Sequence, residues 1–265
     1  MPDAPYIRIL AQMRPITLAE MDDIRLMNRI DSKYVTDEKT LGRLLSDALA
    51  QGYRALEAEG LRLSPYNSMY FDTPSLRMYT DHQNRKLVRQ KVRTRVYVSS
   101  GLTYLEVKCK NNHGRTKKKR TVIPPDAFDD FRTVPEACTF LSEKSDYTAQ
   151  MLAPRLTTAF DRITLVNPAR TERLTIDLHL HFHNVASGLD AGLGPAVIVE
   201  LKQDGRADSQ MKRILLEHRI KPIRVSKYCI GTVLTDPTAK KNRFKLKIKE
   251  IEKIIHQKIE SPCVL

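Results

Sequence analysis

The sequence predicts an α+β fold: an eight-stranded antiparallel sheet that closes into a tunnel or barrel, with flanking helices and a C-terminal helix. Three observations support this. About eight stretches have strand character, helices lie between and after them, and several strands carry charged residues two positions apart. Side chains at positions i and i+2 of a strand point to the same face. If the charged faces converge, they line a basic cavity with a few acids, which suits a polyanion bound with a metal ion.

The composition is that of a folded, strongly basic protein. The chain has 265 residues, 41% hydrophobic and 29% charged, enough for one large or two modest domains. Its net charge of +14 predicts an anionic partner (nucleic acid, acidic lipid, nucleotide or polyphosphate), with a solvated basic surface as the alternative. The four cysteines have no C-x-x-C spacing, so neither a zinc site nor a disulfide framework is expected. The first residues lack a secretory signal and no apolar run approaches ~20 residues, so we expect a cytoplasmic protein.

Apolar residues at helical spacing predict the helices. Residues 15–28 form a short helix in which Thr17 and Glu20 have the spacing of a capping box. A second helix begins at Thr36 or Asp37 and runs to about residue 50. Further helical stretches are predicted at 75–84, 126–152, 209–218 and from about residue 241.

Runs of β-branched and aromatic residues between turn signals predict the strands. The sequence Asn-Asn-His-Gly at 111–114 is a hairpin signal, and Asn167 followed by Pro168 marks another turn. The predicted strands are 29–35, 68–72, 87–98, 104–110, 116–123, 156–166, 173–183 and 196–202.

A row of cations lies on one face of the strand 87–98. Arg93 and Arg95 share that face, and Arg89 and Lys91 extend it. Guanidinium groups bind phosphate oxygens in a bidentate manner, so such a row suits a chain of phosphates. The alternative is an exposed edge strand that charge protects from aggregation.

Two strands repeat the pattern Glu-x-Lys on an apolar background, as Glu106 with Lys108 and Glu200 with Lys202. On a surface strand such a pair is an ordinary salt bridge worth ~0 to 1 kcal/mol. Inside a tunnel, the lysine would contact phosphate and the carboxylate could bind Mg²⁺ or Mn²⁺, which prefer oxygen ligands.

The basic run at 117–120 has the composition of a nucleic-acid or nuclear-localisation patch. On a strand only alternate members share a face. We therefore predict that Lys118 and Arg120 point into the cavity and that Lys117 and Lys119 point outward. The aromatic content of 6% gives little support to a single-strand nucleic-acid platform.

Three other features have two interpretations each. Asp177, His179, His181 and His183 share one face of a predicted strand, where they could bind a transition metal or form a polar strand end. Lys227 could contact phosphate or simply be exposed. The basic tail that ends near Ile259 could lie on an anionic membrane or a partner, or could cap the barrel with its lysines in water.

Taken together, these motifs resemble the VTC domain, the polyphosphate polymerase branch of the triphosphate tunnel metalloenzymes. The resemblance covers about residues 15–235 in the expected order, and residues 236–265 are predicted to form a basic helical tail. The motifs are RIDSKY at 29–34, SMYFDT at 68–73, RTR at 93–95, YLEVK at 104–108, KKR at 118–120, Arg162, Arg173, VELK at 199–202 and SKY at 226–228.

The resemblance implies a basic antiparallel tunnel that binds a triphosphate with a divalent metal. It assigns phosphate contacts to Lys33, Arg93, Arg95, Lys108, Lys118, Arg162, Arg173, Lys202 and Lys227, and a metal ligand to Glu200. Of these, Lys33, Arg93, Arg95, Lys108 and Lys202 are expected to be catalytic and the others to bind substrate. Strand parity adds Arg120 to the substrate-binding set, and matching spacing adds Glu106 as a second metal ligand.

The expected activity is transfer of the γ-phosphoryl group of ATP to a growing polyphosphate chain, with Mn²⁺ or Mg²⁺. Related triphosphatases and adenylate cyclases begin with Glu-x-Glu-x-Lys, where this chain has Arg29, Asp31 and Lys33. The missing acid shifts the expectation from hydrolysis toward binding of a long anion. A triphosphatase of the same fold is the alternative enzyme, and a non-catalytic polyphosphate-binding or nucleic-acid-binding module is the alternative of another class.

Overall fold

The computed structural model describes residues 4–22, 24, 29–205 and 208–263. The strands are β1 (Arg14–Ile16), β2 (Ile30–Asp37), β3 (Arg54–Leu56), β4 (Ser64–Asp72), β5 (Arg89–Tyr97), β6 (Leu102–Lys110), β7 (Thr116–Ile123), β8 (Ala153–Val166), β9 (Glu172–Asn184), β10 (Asp190–Gly192) and β11 (Ala196–Gln203). The helices are α1 (Pro5–Gln12), α2 (Leu18–Asp22), α3 (Glu38–Ala50), α4 (Arg77–Gln83), α5 (Pro135–Lys144), α6 (Gln210–Glu217), α7 (Lys227–Thr235) and α8 (Asn242–Ile255).

The long strands form one antiparallel path in the order β2–β11–β9–β8–β4–β5–β6–β7. The short strands pair at its margins, β10 with β9 and β3 with both β1 and β8. The α+β class and the antiparallel, tunnel-like sheet predicted from the sequence are confirmed. Full closure into a barrel is not: within the described residues, the end strands β2 and β7 are not hydrogen-bonded to each other.

A segment from the C-terminal part of the chain lies along the free edge of β2. Pro222 forms an isolated bridge with Tyr34, and the backbone N–H of Ile223 donates to the carbonyl of Lys33 over 2.8 Å. Further along this segment, Ser226 accepts a hydrogen bond from Lys91 of β5 over 2.7 Å. Contacts through this segment therefore connect β2 to the opposite side of the sheet and help to enclose the space between them.

Two apolar cores cover the outer face of the curved sheet. One joins outward side chains of β8, β9 and β11, such as Leu174 and Val199, to α1, α3 and α6. The other joins β4, β5 and β6 to the segment that contains α5, with Phe131 at its centre. Because these faces are filled with apolar side chains, the polar residues that alternate with them lie on the inner face.

The inner face is divided into an apolar half and a charged half. In the apolar half, Leu156, Phe182 and neighbouring side chains pack against α7 and α8. The apolar stripe of α8, which includes Phe244 and Ile251, is buried in this same core. Of the two interpretations of the basic tail, the structure supports a helix that caps the sheet.

The predicted elements agree with the observed ones except near the N-terminal end of the chain, at the short strands β3 and β10, and at α7. The capping box is present, since Thr17 and Glu20 exchange hydrogen bonds of 2.9 and 3.2 Å, but the helix it begins is the short α2. The predicted helix at 15–28 also covered β1, and its residues 25–28 lie outside the described residues. The stretch predicted as helical at 126–152 contains α5 and short 3-10 turns.

Candidate functional site

Cross-strand pairing places the predicted site residues on the inner face. Lys202 of β11 lies opposite Arg173 of β9, and on neighbouring strands Arg93 lies opposite Glu106. Residues opposite each other in an antiparallel pair share a face. The same-face pairs are Lys33 with Glu200, Lys202 with Arg173, Arg162 with Asp177, Arg93 with Glu106, Glu106 with Arg120, and Lys108 with Lys118.

These pairs and the contacts below place all twelve predicted residues around one space. Desolvation and the charge of Lys33 on β2 lower the pKa of Lys108 on β6 to about 8, so the two sides of the sheet interact electrostatically. The residues are Lys33, Arg93, Arg95, Glu106, Lys108, Lys118, Arg120, Arg162, Arg173, Glu200 and Lys202 on strands, and Lys227 at the start of α7. Their placement on one inner face agrees with strand parity, and their chemical roles remain predictions.

Asp177 joins β8, β9 and α7 in the charged half, and no such role was predicted for it. Arg162 donates two hydrogen bonds to its carboxylate, of 2.6 and 2.8 Å, and Lys227 donates a third. Burial raises the pKa of Asp177, but the charges of Arg162 and Lys227 outweigh burial and hold the pKa well below its usual range. Asp177 therefore positions Lys227 from α7 among the strand residues.

Glu106 has a similar role on β6. One carboxylate oxygen accepts hydrogen bonds from Arg93 of 2.7 and 2.5 Å, and the other accepts one from Lys118 of 2.8 Å. Its side chain is 1% exposed, and the charge of Arg93 overcomes burial to keep its pKa low. Since both oxygens are already occupied by cations, Glu106 fits a metal ligand poorly.

Glu200 is the carboxylate with the loosest pairing of the three. It lies 3.5 Å from the Nζ of Lys202 and 4.0 Å from that of Lys33, and its side chain is 19% exposed. Burial raises its pKa, but Lys33 and Lys202 keep the group ionised. No group of three or more His, Cys, Asp or Glu residues in the described part of the chain could hold a metal ion alone. Glu200 therefore fits a metal only as one carboxylate that shares the ion with ligand phosphates and water, as is usual for Mg²⁺.

The histidine strand does not form the metal site considered from the sequence. His179 has a φ of 52°, and this left-handed residue interrupts the alternation of β9 beside a register shift. Asp177 faces the tunnel together with Arg173, and His179 consequently leaves that face and contacts Asp161 through Nδ1 at 2.8 Å. His183 lies 3.2 Å from Asp190, and no metal-binding group is found there within the residues described.

Aromatic rings hold the arginines of the charged half in place. Arg95 donates to the hydroxyl of Ser68 over 2.9 Å and lies over the ring of Tyr66, with 5.5 Å between the guanidinium carbon and the ring centroid. Arg162 lies over the same ring at 5.1 Å. Cation–π contacts of this kind restrict the orientation of the guanidinium planes.

Of the buried polar atoms that have no hydrogen-bond partner among the described residues, two lie in the charged half. They are the Nε of Arg173 and the hydroxyl oxygen of Thr175, which are close neighbours on the inner face of β9. Thr175 lies directly opposite Glu200. Buried polar groups are normally satisfied, so this pair indicates a place where a ligand completes the hydrogen bonding.

The environment of the lysines in the charged half disfavours their protonated, positively charged form. Burial lowers the pKa of Lys202 to about 8 despite the attraction of Glu200, and the charge of Arg162 adds to this effect. Burial likewise lowers the pKa of Lys227 to about 8 despite Asp177. The protein has thus gathered more positive charge than its own carboxylates balance, which is the electrostatic property of an anion-binding site.

The family model of the VTC domain matches residues 28–236, and the chain belongs to this family. This range includes every site residue discussed above. The comparison with curated proteins gave no match.

Several solved structures are similar to the chain at low sequence identity. A protein from Bacillus halodurans, described as a proposed adenylate cyclase, is 15% identical with a TM-score of 0.49, over 76% of this chain and 96% of that one. A proposed adenylyl cyclase from Hippeastrum, reported to have a dominant triphosphatase activity, is 16% identical with a TM-score of 0.47, over 77% and 94%. A conserved hypothetical protein from Pyrococcus furiosus is 13% identical with a TM-score of 0.41, over 77% and 100%.

Within the described residues, no helix combines the length and the apolar character that crossing a membrane requires.

Proposed function

We propose that the protein is a polyphosphate polymerase that transfers the γ-phosphoryl group of ATP to the end of a growing polyphosphate chain. The observation that carries this proposal is the charge distribution of the inner face. Cations greatly outnumber carboxylates, and salt bridges occupy both oxygens of Glu106 and of Asp177. Such a surface suits a linear polyanion, and membership of the VTC domain family supports the same assignment.

The arginines would position the transferred group. Arg93, Arg95 and Arg162 are held by carboxylate, hydroxyl or aromatic contacts, so their geometry is set before substrate binds. Phosphoryl transfer asks little covalent chemistry of the protein, and fixed positive charge around the oxygens supplies most of the rate enhancement. Arg173 and the hydroxyl of Thr175 would complete their hydrogen bonding with phosphate oxygens.

The lysines would neutralise charge that develops during transfer. Lys33, Lys108 and Lys202 face one another around Glu200, and Lys227 reaches the same space from α7. Lys118 extends the cationic surface along β7, and Arg120 continues it toward the end of the strand. An anion bound here removes the repulsion between these groups and so favours their protonated forms.

Glu200 would hold the divalent cation, Mn²⁺ or Mg²⁺, together with phosphate oxygens. When bound, the cation supplies Lewis-acid stabilisation of phosphoryl oxygens. The chain itself orients the carboxylate of Glu200 through Lys33 and Lys202. Glu106 is not carried into this part of the proposal because Arg93 and Lys118 occupy it.

The proposal places ATP and polyphosphate in the tunnel domain, expected at residues 15–235, and the protein in the cytoplasm, where ATP is available. Asp31, one of the two acids expected in the first strand of a triphosphatase, pairs with Arg29 at 2.6 Å. That pairing leaves the first strand without a free carboxylate pair for hydrolytic metal chemistry.

The test is to incubate purified protein with ATP and Mn²⁺ and to examine the products by gel electrophoresis. We expect long polyphosphate together with ADP, and at least a tenfold loss of rate in Glu200→Gln, on the order of one ligand's contribution. The double variant Lys117→Ala/Lys119→Ala, on the outward face of β7, is the matched control and should keep the activity. Release of inorganic phosphate without polymer would assign the tunnel to a triphosphatase. Tight binding without turnover, unchanged by Glu200→Gln, would assign it to a binding module.

A further inference from the structure

On three neighbouring strands, the inner face changes from charged to apolar at the same end of the tunnel. On β5 the cations are followed by Tyr97, on β6 Glu106 is preceded by Tyr104 and Leu102, and on β7 the cations are followed by Val122. The other end of β5 is the one near which α7 begins, since Lys91 donates a hydrogen bond to Ser226, the residue that caps α7. The four residues Tyr97, Leu102, Tyr104 and Val122 are called the rim patch below.

The members of the rim patch are direct neighbours. Tyr104 lies opposite Val122 on one side and opposite Arg95 on the other, and Leu102 lies opposite Tyr97. The rings of Tyr97 and Tyr104 meet edge to face, with their centroids 5.9 Å apart. The patch is therefore a continuous apolar and aromatic surface. It begins at Tyr97, the next residue after Arg95 on the same face of β5.

The rim patch is open to solvent although it lies on the inner face. Val122 is 60% exposed and Leu102 is 42% exposed, and both tyrosines are partly exposed. Tyr97 also packs against Tyr66, with 4.9 Å between the ring centroids, at the margin of the core that α7 and α8 fill. The exposed aromatic surface thus adjoins the cations at the mouth that the chain leaves uncovered within its described residues.

Arg120 lies directly on this surface. Its guanidinium carbon is 4.4 Å from the centroid of the Tyr104 ring. A cation and an aromatic ring in this arrangement provide two flat, weakly hydrated groups, and both stack readily on a nucleobase.

We propose that the rim patch binds the nucleoside of the substrate, with the base stacked on Tyr104 and Arg120 while the phosphates lie among the cations beyond Arg95. The inference rests on the proposed function, because it assigns the nucleoside end of the same triphosphate. Consecutive same-face residues of a strand are about 7 Å apart, which leaves room for a ribose between the first phosphate and the base. Stacking energy grows with the size of the π surface, so purine triphosphates should bind more tightly than pyrimidine triphosphates. Both should bind more tightly than tripolyphosphate when the affinities are compared with allowance for the charge of each ligand.

The experiment measures binding of ATP, CTP and tripolyphosphate by calorimetry to the wild type, Tyr104→Ala and Tyr104→Phe. We expect Tyr104→Ala to weaken ATP binding about tenfold and to leave tripolyphosphate binding within about twofold, since one stacked base contributes an effect of this order. Tyr104→Phe keeps the ring and should bind like the wild type. Val98→Ala, at an exposed position of the same mouth but outside the rim patch, is the matched control and should change neither ligand.

The outcomes separate this inference from the proposed function. Suppose that the wild type has the same affinity for tripolyphosphate and for ATP once the charge of each ligand is taken into account, and that it does not prefer ATP to CTP. The rim patch then holds no base, although the tunnel binds phosphate. That comparison needs no variant, so it stands even if Tyr104→Ala fails to fold.

Equal losses of affinity for ATP and for tripolyphosphate in Tyr104→Ala would also overturn the inference, because Tyr104 would then act through Arg120 on phosphate. A change in oligomeric state without a change in the ATP to tripolyphosphate ratio would assign the patch to contact between copies and contradict it as well. Absence of tripolyphosphate binding by the wild type would instead contradict the proposed function.

Discussion

The two halves of the inner face show what the same strands can be used for. Toward α7, Leu156 and Phe182 pack against a buried helix and stabilise the fold in the ordinary way. Toward the other end, Arg162, Lys202 and their neighbours are gathered around a few carboxylates. The first half is filled by the protein's own apolar side chains, whereas the second holds cations in excess of its carboxylates. The apolar half therefore stabilises the fold, and the charged half destabilises it. This is the expected arrangement for a preorganised binding site.

The sharpest way to disturb the charged half is Asp177→Asn. It removes the charge that Arg162 and Lys227 share while keeping the size of the side chain. Breaking a buried ionic network from one side typically costs about 3–5 kcal/mol, so we expect a loss of this order in the free energy of unfolding, measured with urea. Tripolyphosphate should restore part of the loss, because it supplies negative charge to the same space.

Asp161→Asn is the control for this measurement. Asp161 lies on β8, next to the strand β9 that carries Asp177, but its side chain is 32% exposed and pairs with His179. Its replacement should cost less than about 1 kcal/mol. If Asp177→Asn unfolds at the wild-type urea concentration, the charged half is not held together by Asp177.

The apolar half can be disturbed by adding one methyl group at Gly231 of α7. A Cβ there would lie 2.6 Å from side-chain carbons of both Leu156 and Phe182. We expect Gly231→Ala to lower the free energy of unfolding by about 1–3 kcal/mol through overpacking, and tripolyphosphate should give no special rescue. Gly42→Ala in α3, where a Cβ meets nothing within 4 Å, should instead raise stability by about 0.5–1 kcal/mol. Equal effects of the two substitutions would mean that α7 is not tightly packed.

The pH dependence should differ with and without ligand. Burial lowers the pKa of Lys202 and Lys227 to about 8 from the ordinary value of 10.5, so between these pH values the unfolded chain binds more protons than the folded one. The contribution of these lysines to stability therefore rises as the pH rises from 8 to 10.5. A bound phosphate chain favours the protonated lysines, so its affinity and the thermal shift it produces should fall above pH 8.

Thermal denaturation from pH 7 to pH 10, with and without tripolyphosphate, checks this smaller effect. Lys202→Gln should flatten the dependence, since it removes one of the titrating groups. A ligand-induced shift that grows steadily between pH 8 and pH 10 would contradict the assignment of these lysines to the phosphate site.

The contrast between the two halves also explains what could be predicted from the sequence. The charged strands were predictable because a two-residue period is visible without tertiary information, and it correctly separated Lys118 and Arg120 from Lys117 and Lys119. The face on which the histidines lie was not predictable, because the left-handed backbone at His179 reverses the alternation partway along β9 and takes the histidines off the inner face that Arg173 and Asp177 share. Nothing in the local pattern of β9 marks that reversal.

The helix α7 was missed for a similar reason. Its sequence from Lys227 to Thr235 contains Val233, Gly231 and two threonines, which have weak helix propensity. Ser226 caps the helix by accepting from the N–H of Cys229, and burial among Leu156, Phe182 and their neighbours stabilises it. Those partners are distant in sequence, so tertiary packing decides the element. The tyrosines of the rim patch were likewise assigned no role, because their position beside Arg120 depends on the register of three strands.

Calorimetric titration of tripolyphosphate into two double variants of β7 compares the inner and outer faces of the sheet most directly. Lys118→Ala/Arg120→Ala and Lys117→Ala/Lys119→Ala each remove two positive charges from neighbouring positions of one strand, so they change the net charge equally. Binding inside the tunnel predicts a loss of at least about tenfold in the first variant and near wild-type affinity in the second, since only the first loses charge-assisted contacts. Equal losses in both variants would show that the phosphate chain binds the general basic surface and not an enclosed site.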